Sequence, residues 1–464
     1  MHIDNLDRAI YERFIVPTQR PRTDKAGIEF ELPIVNRESK PVDFDAAHQV
    51  AEDFTAHFGF TQTARDVDGF IYSASDPKTA DNLSFDCSYN TVELSFGTAS
   101  DLHELNRRFA AYYRFLYDGL DRFGHTLTGM GINPRYAVNR NVPVASERYR
   151  MLLHHLSSYP AYEKTSLFPF HHHPNFGLFS CASQVQLDVE DKHLPEMLNT
   201  FNRLEPLKAL LFANSIWMED GQTLLCARDY FWRNSLHGFN PHNVDMFAAD
   251  FDSVDDIVAY IRSMSLYCVE RDGQYINFAP TPLADYFASD RIKGEVLDGN
   301  GYKTIAFTPE AADLKDLRSF KFEDLTFRGT VEFRSVCEQP VGEIFAASAL
   351  HVGLMEKLPE LTALLAQDRT IYHKGYTAAE LRQLFVQKDF PGNIFDRKAV
   401  STLILRVLDL AKAGLAQRGM DEEDFLAPLY PRAERLESPA VELMNGLAHG
   451  ETIEDYIDKF GRLN

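Results

Sequence analysis

Apolar and polar residues alternate one by one in four short segments of this chain. In GIEFELPIV (residues 27–35), apolar side chains alternate with Glu29 and Glu31. Successive side chains of a β-strand point to opposite faces of a sheet, so this pattern predicts a strand with one apolar face and with both glutamates on the other. Two carboxylates on one face repel each other unless a cation or water separates them.

Three further segments share this alternation: TVELSF (residues 91–96), SQVQLDV (residues 183–189) and TVEFRSV (residues 330–336). Their polar positions hold Glu93, Ser95, Gln184, Gln186, Asp188, Glu332 and Arg334, and Asp86 lies seven residues before Glu93. None of the four segments contains lysine. Carboxylate and amide oxygens suit magnesium, and phosphoryl transfer needs arginine to balance the charge of the moving group. Together the segments favour a magnesium–nucleotide site.

The common alternative for such a pattern is an antiparallel sheet with one face in water. For any one strand taken alone, that is the simpler interpretation. The chain also lacks a GxxxxGK[ST] phosphate-binding loop. If a nucleotide binds, we therefore expect it to bind through metal ions on the polar sheet face.

Helical periodicity occurs in residues 5–16, 101–123 and 196–212, and it dominates the chain from about residue 341 onward. Strand-like segments lie instead in the following ranges: residues 24–100, 176–190, 222–231 and 326–336. Strands mixed with helices and followed by a helical tail predict an α+β fold. We expect a catalytic region at residues 1–340 and a helical C-terminal region at residues 341–464, packed together as one unit.

Composition narrows the range of partners and of cellular settings. The formal charge of −21 disfavours nucleic acid and anionic membranes as partners. The first residues contain no apolar core, so no secretory signal is expected, and no stretch approaches the roughly 18 apolar residues of a membrane helix. The five cysteines are scattered and form no CxxC pair, which is typical of reduced thiols in a cytoplasmic protein. The run His171–His173 is flanked by prolines and is interpreted as a turn rather than a metal site.

Seven segments, in this order along the chain, resemble the glutamate–cysteine ligase (gamma-glutamylcysteine synthetase) family, in the branch shared by plants and many bacteria. They are GIEFELPIV, SFDCSYNTVELSFG (84–97), GINPRYAVNRNVPVASERYRMLLHHL (131–156), LFSCASQVQLDV (178–189), EPLKALLFANSIW (205–217), CARDYFW (226–232) and TVEFRSV. The resemblance covers about residues 25–340. It implies a curved, largely antiparallel sheet of the glutamine synthetase type, surrounded by helices, with the active site on its polar face.

The resemblance also implies roles for individual residues. The metal ligands would be Glu29, Glu31, Asp86, Glu93 and Glu332. Gln184, Gln186 and Arg334 would bind the cofactor, and Glu332 and Arg334 would be catalytic. Arg228 would hold the α-carboxylate of glutamate and Trp232 would wall that pocket, while Arg148 would contact substrate.

The implied reaction is the magnesium-dependent joining of the γ-carboxylate of L-glutamate to the amine of L-cysteine through γ-glutamyl phosphate, with ATP as co-substrate. Manganese could replace magnesium, and the protein would be a monomer or homodimer. The chain departs from the family at Ala182, Ser183, Gln186 and Ile216, and in RNSLHGFNPHN after Trp232. Another amino acid or amine therefore stays open as the acceptor. A guanidino phosphotransferase and a non-catalytic binding protein are further alternatives, and the retained acids and Arg334 argue against both.

Overall fold

The computed structural model describes residues 5–219, 221–299 and 301–463; Met1–Asp4, the start of the segment assessed for a secretory signal, lies outside them. The strands are β1 Ala26–Asn36, β2 Thr61–Arg65, β3 Ile71–Ser75, β4 Asn82–Ser84, β5 Thr91–Ala99, β6 His125–Leu127, β7 Ser183–Asp188, β8 Trp217–Glu219, β9 Gln222–Leu224, β10 Val244–Asp245, β11 Ser265–Arg271, β12 Gln274–Pro282, β13 Ile292–Asp298, β14 Gly301–Phe307, β15 Phe320–Lys321, β16 Glu323–Leu325 and β17 Thr330–Phe333. The α-helices are α1 Leu6–Ile10, α2 Phe44–Phe58, α3 Leu102–Asp121, α4 Glu147–Ser157, α5 Leu194–Phe212, α6 Ala227–Arg233, α7 Val254–Ser263, α8 Leu283–Ala288, α9 Ala346–Met355, α10 Leu358–Gln367, α11 Ala378–Phe385, α12 Arg397–Arg418, α13 Leu429–Arg435, α14 Pro439–Ala448 and α15 Ile453–Phe460.

One large antiparallel sheet organises the fold. Its strand order is β16-β17-β7-β1-β5-β4-β3-β2, and β6 pairs with the end of β1. The four segments with alternating polarity form β17, β7, β1 and β5, which are consecutive neighbours in the sheet. Their polar faces therefore join into one continuous surface.

The apolar face of this sheet lies in the main core. Ile28, Phe30 and Leu32 of β1 are fully buried there. The ring of Phe30 makes edge contacts with Phe109 of α3 and with Phe345, just before α9, each at 5.2 Å between centroids. Burial of such large side chains contributes roughly 1.5–3 kcal/mol each. Contacts from Phe345 bring the helical C-terminal region onto the sheet, although the boundary at residue 340 stays a prediction.

The α+β fold, with a largely antiparallel sheet and a helical C-terminal region, is confirmed. Two of the ranges with strand-like segments contain strands and also helices that were not predicted. The strand-like stretch at residues 222–231 contains only the short β9, and CARDYFW forms α6, because apolar residues around its polar Arg228 and Asp229 also fit helical spacing. The stretch at residues 24–100 includes the amphipathic helix α2, which begins at the capping side chain of Asp43 and ends at Gly59 with φ of 71°.

A second antiparallel sheet, with strand order β11-β12-β13-β14, was not predicted. Much of β13 and β14 is exposed, so their apolar pattern is weak. This sheet carries α4: the side chain of Asn277 on β12 donates to the carbonyl of Met151 (3.0 Å), and Glu147 accepts from the backbone N–H of Tyr275 (3.0 Å). These bonds fix the helix that bears Arg148. No helix of the described ranges has the length and apolar character needed to cross a bilayer.

Candidate active site

The polar face of the large sheet is buried, not solvated. Glu31, Gln184 and Glu332 are only 8%, 4% and 6% exposed. Carboxylates are almost never buried to this degree without a partner that balances their charge. The alternative of an ordinary water-facing sheet is therefore wrong for these strands.

Three carboxylates converge at the centre of this face. Glu31 of β1 pairs with Glu93 of β5 in register, so their side chains lie next to each other on one face. Asp86 reaches them from the turn between β4 and β5, where it also accepts from the hydroxyl of Tyr149 (3.2 Å). One oxygen from each of the three carboxylates lies within 4.8 Å of the others, a spacing that could hold a metal ion.

The carboxylates repel one another. Burial, followed by the charges of Asp86 and Glu93, raises the pKa of Glu31 well above its usual range. Burial and Asp86 raise the pKa of Glu93 to about 7. Burial, then Glu332 and Glu93, raise the pKa of Glu29 well above its usual range. Negative charge is therefore in excess here, and an oxygen donor set of this kind fits a divalent cation such as magnesium.

Two glutamines hold these carboxylates in place. The amide of Gln184 donates to Glu31 (2.9 Å), which also accepts from the backbone N–H of Ala182 (2.7 Å). The amide of Gln186 bridges two acids, donating to Glu29 (3.0 Å) and to Glu332 (2.8 Å). Both glutamines thus contact the predicted metal ligands, and their own contact with a cofactor stays a prediction.

Arg334 supplies positive charge at the edge of the face. Its Nη1 donates to Glu332 (2.7 Å), two residues earlier on β17. Asp324 of β16 pairs with Glu332 in register, and burial raises its pKa to about 7. Asp324 is an acid of the site that the sequence analysis missed. Its segment, FEDL, does not alternate in polarity, so only the pairing of β16 with β17 reveals it.

The structure places the predicted substrate residues around one cavity. Arg228 lies at the start of α6, where its guanidinium donates to the backbone carbonyls of Arg334 (3.4 Å) and Val336 (3.2 Å). Much of its donor capacity is thus used within the fold, and its contact with glutamate stays a prediction. Trp232 stacks on Phe320 at 4.5 Å between ring centroids. Arg148 projects from the first turn of α4 into the same region.

Two cavities meet at this site. The first, of about 250 Å³, is lined by apolar residues such as Phe247, Tyr260 and Leu317, and by Glu332 at one end. The second, of about 120 Å³, contains Glu31. Its other walls include Asp86, Gln184, Arg228, Trp232 and His237. Four residues line both cavities, namely Arg148, Arg318, Phe320 and Arg334. Arg318 and His237 were not singled out from the sequence, because neither lies in an alternating strand.

The histidine run is partly buried, and the five cysteines are free thiols, as expected for a reduced protein. His171 is buried in a turn, with its ring nitrogen 2.9 Å from the carbonyl oxygen of Phe231, whereas His172 is exposed. All five cysteines are buried and unpaired. The sulfurs of Cys226 and Cys337 lie 3.4 Å apart as thiols.

Comparison with known proteins agrees with these features. The sequence model described as glutamate-cysteine ligase family 2 (GCS2) matches residues 25–459. The match therefore extends well beyond residue 340, where the resemblance was expected to end.

Individual relatives are distant. The chain is 23% identical to the chloroplastic glutamate–cysteine ligase of Nicotiana tabacum over 77% of this chain and 64% of that protein. It is also 23% identical to the chloroplastic glutamate–cysteine ligase A of Oryza sativa subsp. indica, over 70% of this chain and 62% of that protein. The chain thus spans less than two thirds of the length of these relatives.

A solved structure shows the same fold. The glutamate–cysteine ligase of Francisella tularensis, determined in complex with AMP, aligns with a TM-score of 0.50 and 14% identity, covering 94% of this chain and 87% of that one. The family match over most of the chain decides the classification: the chain belongs to glutamate-cysteine ligase family 2.

Proposed function

We propose that this family member is an ATP-dependent ligase that joins the γ-carboxylate of L-glutamate to the amine of L-cysteine. ATP phosphorylates the γ-carboxylate, and the amine of cysteine displaces phosphate from the resulting γ-glutamyl phosphate. The product, γ-glutamylcysteine, would be the first intermediate of glutathione-type thiol synthesis. The family provides no support for the guanidino phosphotransferase alternative.

One observation carries this proposal: carboxylates in excess of their counter-charges line two adjoining cavities, Glu332 and Asp324 the first and Glu31 and Asp86 the second, beside Arg334. The first cavity has aromatic side chains such as Phe247 that suit a nucleotide base, and the second, where Arg228 lies near Glu31, suits an amino acid. We infer that the phosphates of such a nucleotide would meet the substrate beside these carboxylates. A protein that only bound an amino acid would have no need for this excess of buried negative charge.

We propose magnesium as the metal, with manganese as a possible substitute, held by Glu29, Glu31, Asp86, Glu93 and Glu332. When bound, a divalent cation offsets charge on phosphate oxygens and orients them. The amides of Gln184 and Gln186 fix the orientation of three of these carboxylates before the metal arrives. Such preorganisation lowers the cost of forming the site.

The chain's own residues perform the remaining tasks. Arg334 remains protonated and donates hydrogen bonds to the transferred phosphoryl group, while Glu332 holds its guanidinium in place (2.7 Å). Arg228 and Trp232 position glutamate. Because the cavity walls include Phe176, Trp232 and Phe320, water is largely excluded, which protects the acyl phosphate from hydrolysis.

The direct test is ADP release by the purified protein with ATP, magnesium and glutamate, against a panel of acceptor amines that includes L-cysteine. We expect strong stimulation by cysteine and γ-glutamylcysteine as the product in mass spectrometry. Stimulation by a different amine alone would keep the mechanism and replace the acceptor. An absence of glutamate-dependent turnover with every acceptor would contradict the proposal.

A pair of matched variants links turnover to the carboxylate face. Glu31→Gln removes a buried ligand and should abolish ADP release. Glu38→Gln changes an exposed glutamate in the turn after β1, which pairs with Lys40, and should leave ADP release unchanged. Equal activity of the two variants would count against the metal role of Glu31.

We further propose that the protein acts in the cytoplasm as a monomer or homodimer. Five buried, unpaired thiols support a reducing compartment. The plant relatives named above are chloroplastic, so microscopy of a fluorescent fusion in the native cell is the appropriate test of location. Sedimentation of the purified protein tests the oligomeric state.

A further inference from the structure

The wall shared by the two cavities has an unusual charge. It contains Arg148, Arg318 and Arg334, together with the ring of Phe320. A phosphoryl group that is transferred from a nucleotide in one cavity to a substrate in the other must pass beside the residues that line both cavities. Side chains on the wall are therefore within reach of the oxygens of the moving group.

Arg334 and Arg318 differ in how their charges are balanced. Arg334 is paired with Glu332 at 2.7 Å. Within the described ranges Arg318 forms no ion pair: its Nη2 donates to the hydroxyl of Tyr275 (3.2 Å), and its buried Nε has no hydrogen-bond partner. Arg318 thus brings to the wall a positive charge that no carboxylate contacts within the described ranges, next to the like charge of Arg148.

The neighbour of Arg318 on the substrate side does not neutralise it either. His237 is 3% exposed, and neither of its imidazole nitrogens has a hydrogen-bond partner in the part of the chain that the structure describes. Burial lowers the pKa of His237 to about 3, and the charge of Arg318 adds to this effect. The imidazole is therefore neutral, and the guanidinium still lacks an anion. A transient anion is the natural partner for such a group.

We propose that Arg318 is a catalytic residue that binds the phosphoryl group during its transfer from ATP to glutamate. This inference rests on the proposed ligase function. In this step the bond between the γ-phosphorus and the β–γ bridging oxygen breaks, and its electron pair stays on ADP. A new bond forms between the γ-phosphorus and a γ-carboxylate oxygen of glutamate. Arg318 keeps its proton throughout and donates hydrogen bonds to the non-bridging oxygens.

Isotope exchange within ATP isolates this step. When ATP carries oxygen-18 in its β–γ bridge, the label moves to non-bridging β-positions only if the phosphoryl group is transferred reversibly to glutamate. The assay contains magnesium and glutamate and no acceptor. We expect Arg318→Ala to slow this exchange about 100- to 1,000-fold. The affinity for ADP and the KM for cysteine should change little, because neither measures phosphoryl transfer.

A matched control and a chemical rescue separate catalysis from folding. Arg150 also contacts a tyrosine hydroxyl, that of Tyr302 (2.7 Å), but it lines neither cavity. Arg150→Ala should therefore keep isotope exchange. Added ethylguanidinium should restore part of the exchange to Arg318→Ala and have no effect on Arg150→Ala.

Several outcomes would overturn the assignment. Exchange by Arg318→Ala that stays close to wild type would do so, as would a loss without rescue that accompanies a lower melting temperature. A selective rise in the KM for cysteine would instead make Arg318 an acceptor-binding residue. If wild-type protein shows neither exchange nor glutamate-dependent ADP release, the ligase function itself fails, and this result is distinct from a failure of Arg318 alone.

Discussion

Two groups of buried charges lie on opposite faces of the same sheet. The carboxylate cluster (Glu29, Glu31, Asp86, Glu93, Asp324 and Glu332) occupies the polar face. The ion-pair network (Glu205, Lys208, Asp229 and Arg382) lies behind it. The adjacent residues Glu323 and Asp324 of β16 mark the division, because one packs against Glu205 and the other pairs with Glu332 in register.

The ion-pair network neutralises itself. Arg382 donates to Glu205 (2.6 Å) and to Asp229 (2.7 Å), and Lys208 also contacts Glu205. Burial by itself would raise the pKa of Glu205, but the charges of Lys208 and Arg382 outweigh it and lower this pKa to about 2. Every charge in this network has a partner supplied by the chain.

The carboxylate cluster does not neutralise itself. Its acids outnumber the nearby arginines, and burial and mutual repulsion raise the pKa values of Glu29, Glu31 and Glu93. The difference indicates that burial alone does not make a charged group functional. The network neutralises its own charges within the fold, whereas the cluster keeps an excess of negative charge that suits the cation proposed above.

The largest expected effect comes from the cluster. Glu332→Gln should lower turnover about 100- to 1,000-fold, because it removes a metal ligand and the partner of Arg334. Its melting temperature should change little, since the loss of one repelling carboxylate offsets the loss of the ion pair with Arg334. Steady-state kinetics and calorimetry measure both quantities. Near-normal turnover would show that Glu332 holds no metal.

The ion-pair network should respond in the opposite way. Arg382→Met leaves Asp229 buried without its cation and Glu205 with Lys208 alone, so it should cost about 3–5 kcal/mol of unfolding free energy. Chemical denaturation is the measurement, and Arg369→Met, which changes an exposed arginine, is the control. If Arg382→Met unfolds like this control, the network is not structural.

The pH dependence of stability should distinguish the two groups further. In metal-free protein, the folded state holds a proton on Glu93 up to a pKa of about 7, above the usual carboxyl value, so the unfolding free energy falls as pH rises from about 5 through about 7. Glu205, with its pKa of about 2, contributes no change in this window. Its contribution is lost only at lower pH.

Glu93→Gln tests this reasoning, because groups that do not interact with Glu93 titrate alike in the variant and in wild type and cancel in the comparison. In the presence of a chelator, the melting temperature of the variant relative to that of wild type should rise as pH increases from 5 to 8. The reason is that the variant has no carboxyl group at this position whose deprotonation destabilises the folded state. Saturating magnesium should reverse the order of the two proteins at pH 8. A difference that is independent of pH and of magnesium would mean that Glu93 does not belong to a cation site.

The smallest expected effect concerns Arg228, which lies beside the network residue Asp229 and near the cluster residue Glu31. Arg228→Ala should raise the KM for glutamate at least about tenfold, since a charge-assisted hydrogen bond to the substrate is lost. It should also lower the melting temperature slightly, because the carbonyls of Arg334 and Val336 lose a donor. An unchanged KM for glutamate would make Arg228 purely structural.

The sequence predicted the four strands that carry the site, but it did not reveal the further residues Asp324 and Arg318 that line the cavities. The strand carrying Glu29 and Glu31 was predictable because alternation is a local property of the chain. Asp324 and Arg318 were not, because β16 is three residues long and Arg318 lies outside the regular elements near it. The helix α6 was mistaken for part of a strand because a short apolar run fits either periodicity.

The sequence by itself therefore determined that this chain forms strands with one apolar and one carboxylate-rich face, because neighbouring side chains dictate that pattern. Only the tertiary structure decided that these faces are buried and adjacent, that Asp324 joins them, and that Arg318 lines both cavities. Strand order, register and burial arise from contacts between residues far apart in the chain. Those long-range contacts remove water and raise the pKa values of the acids, and so convert a polar stripe into a candidate cation site.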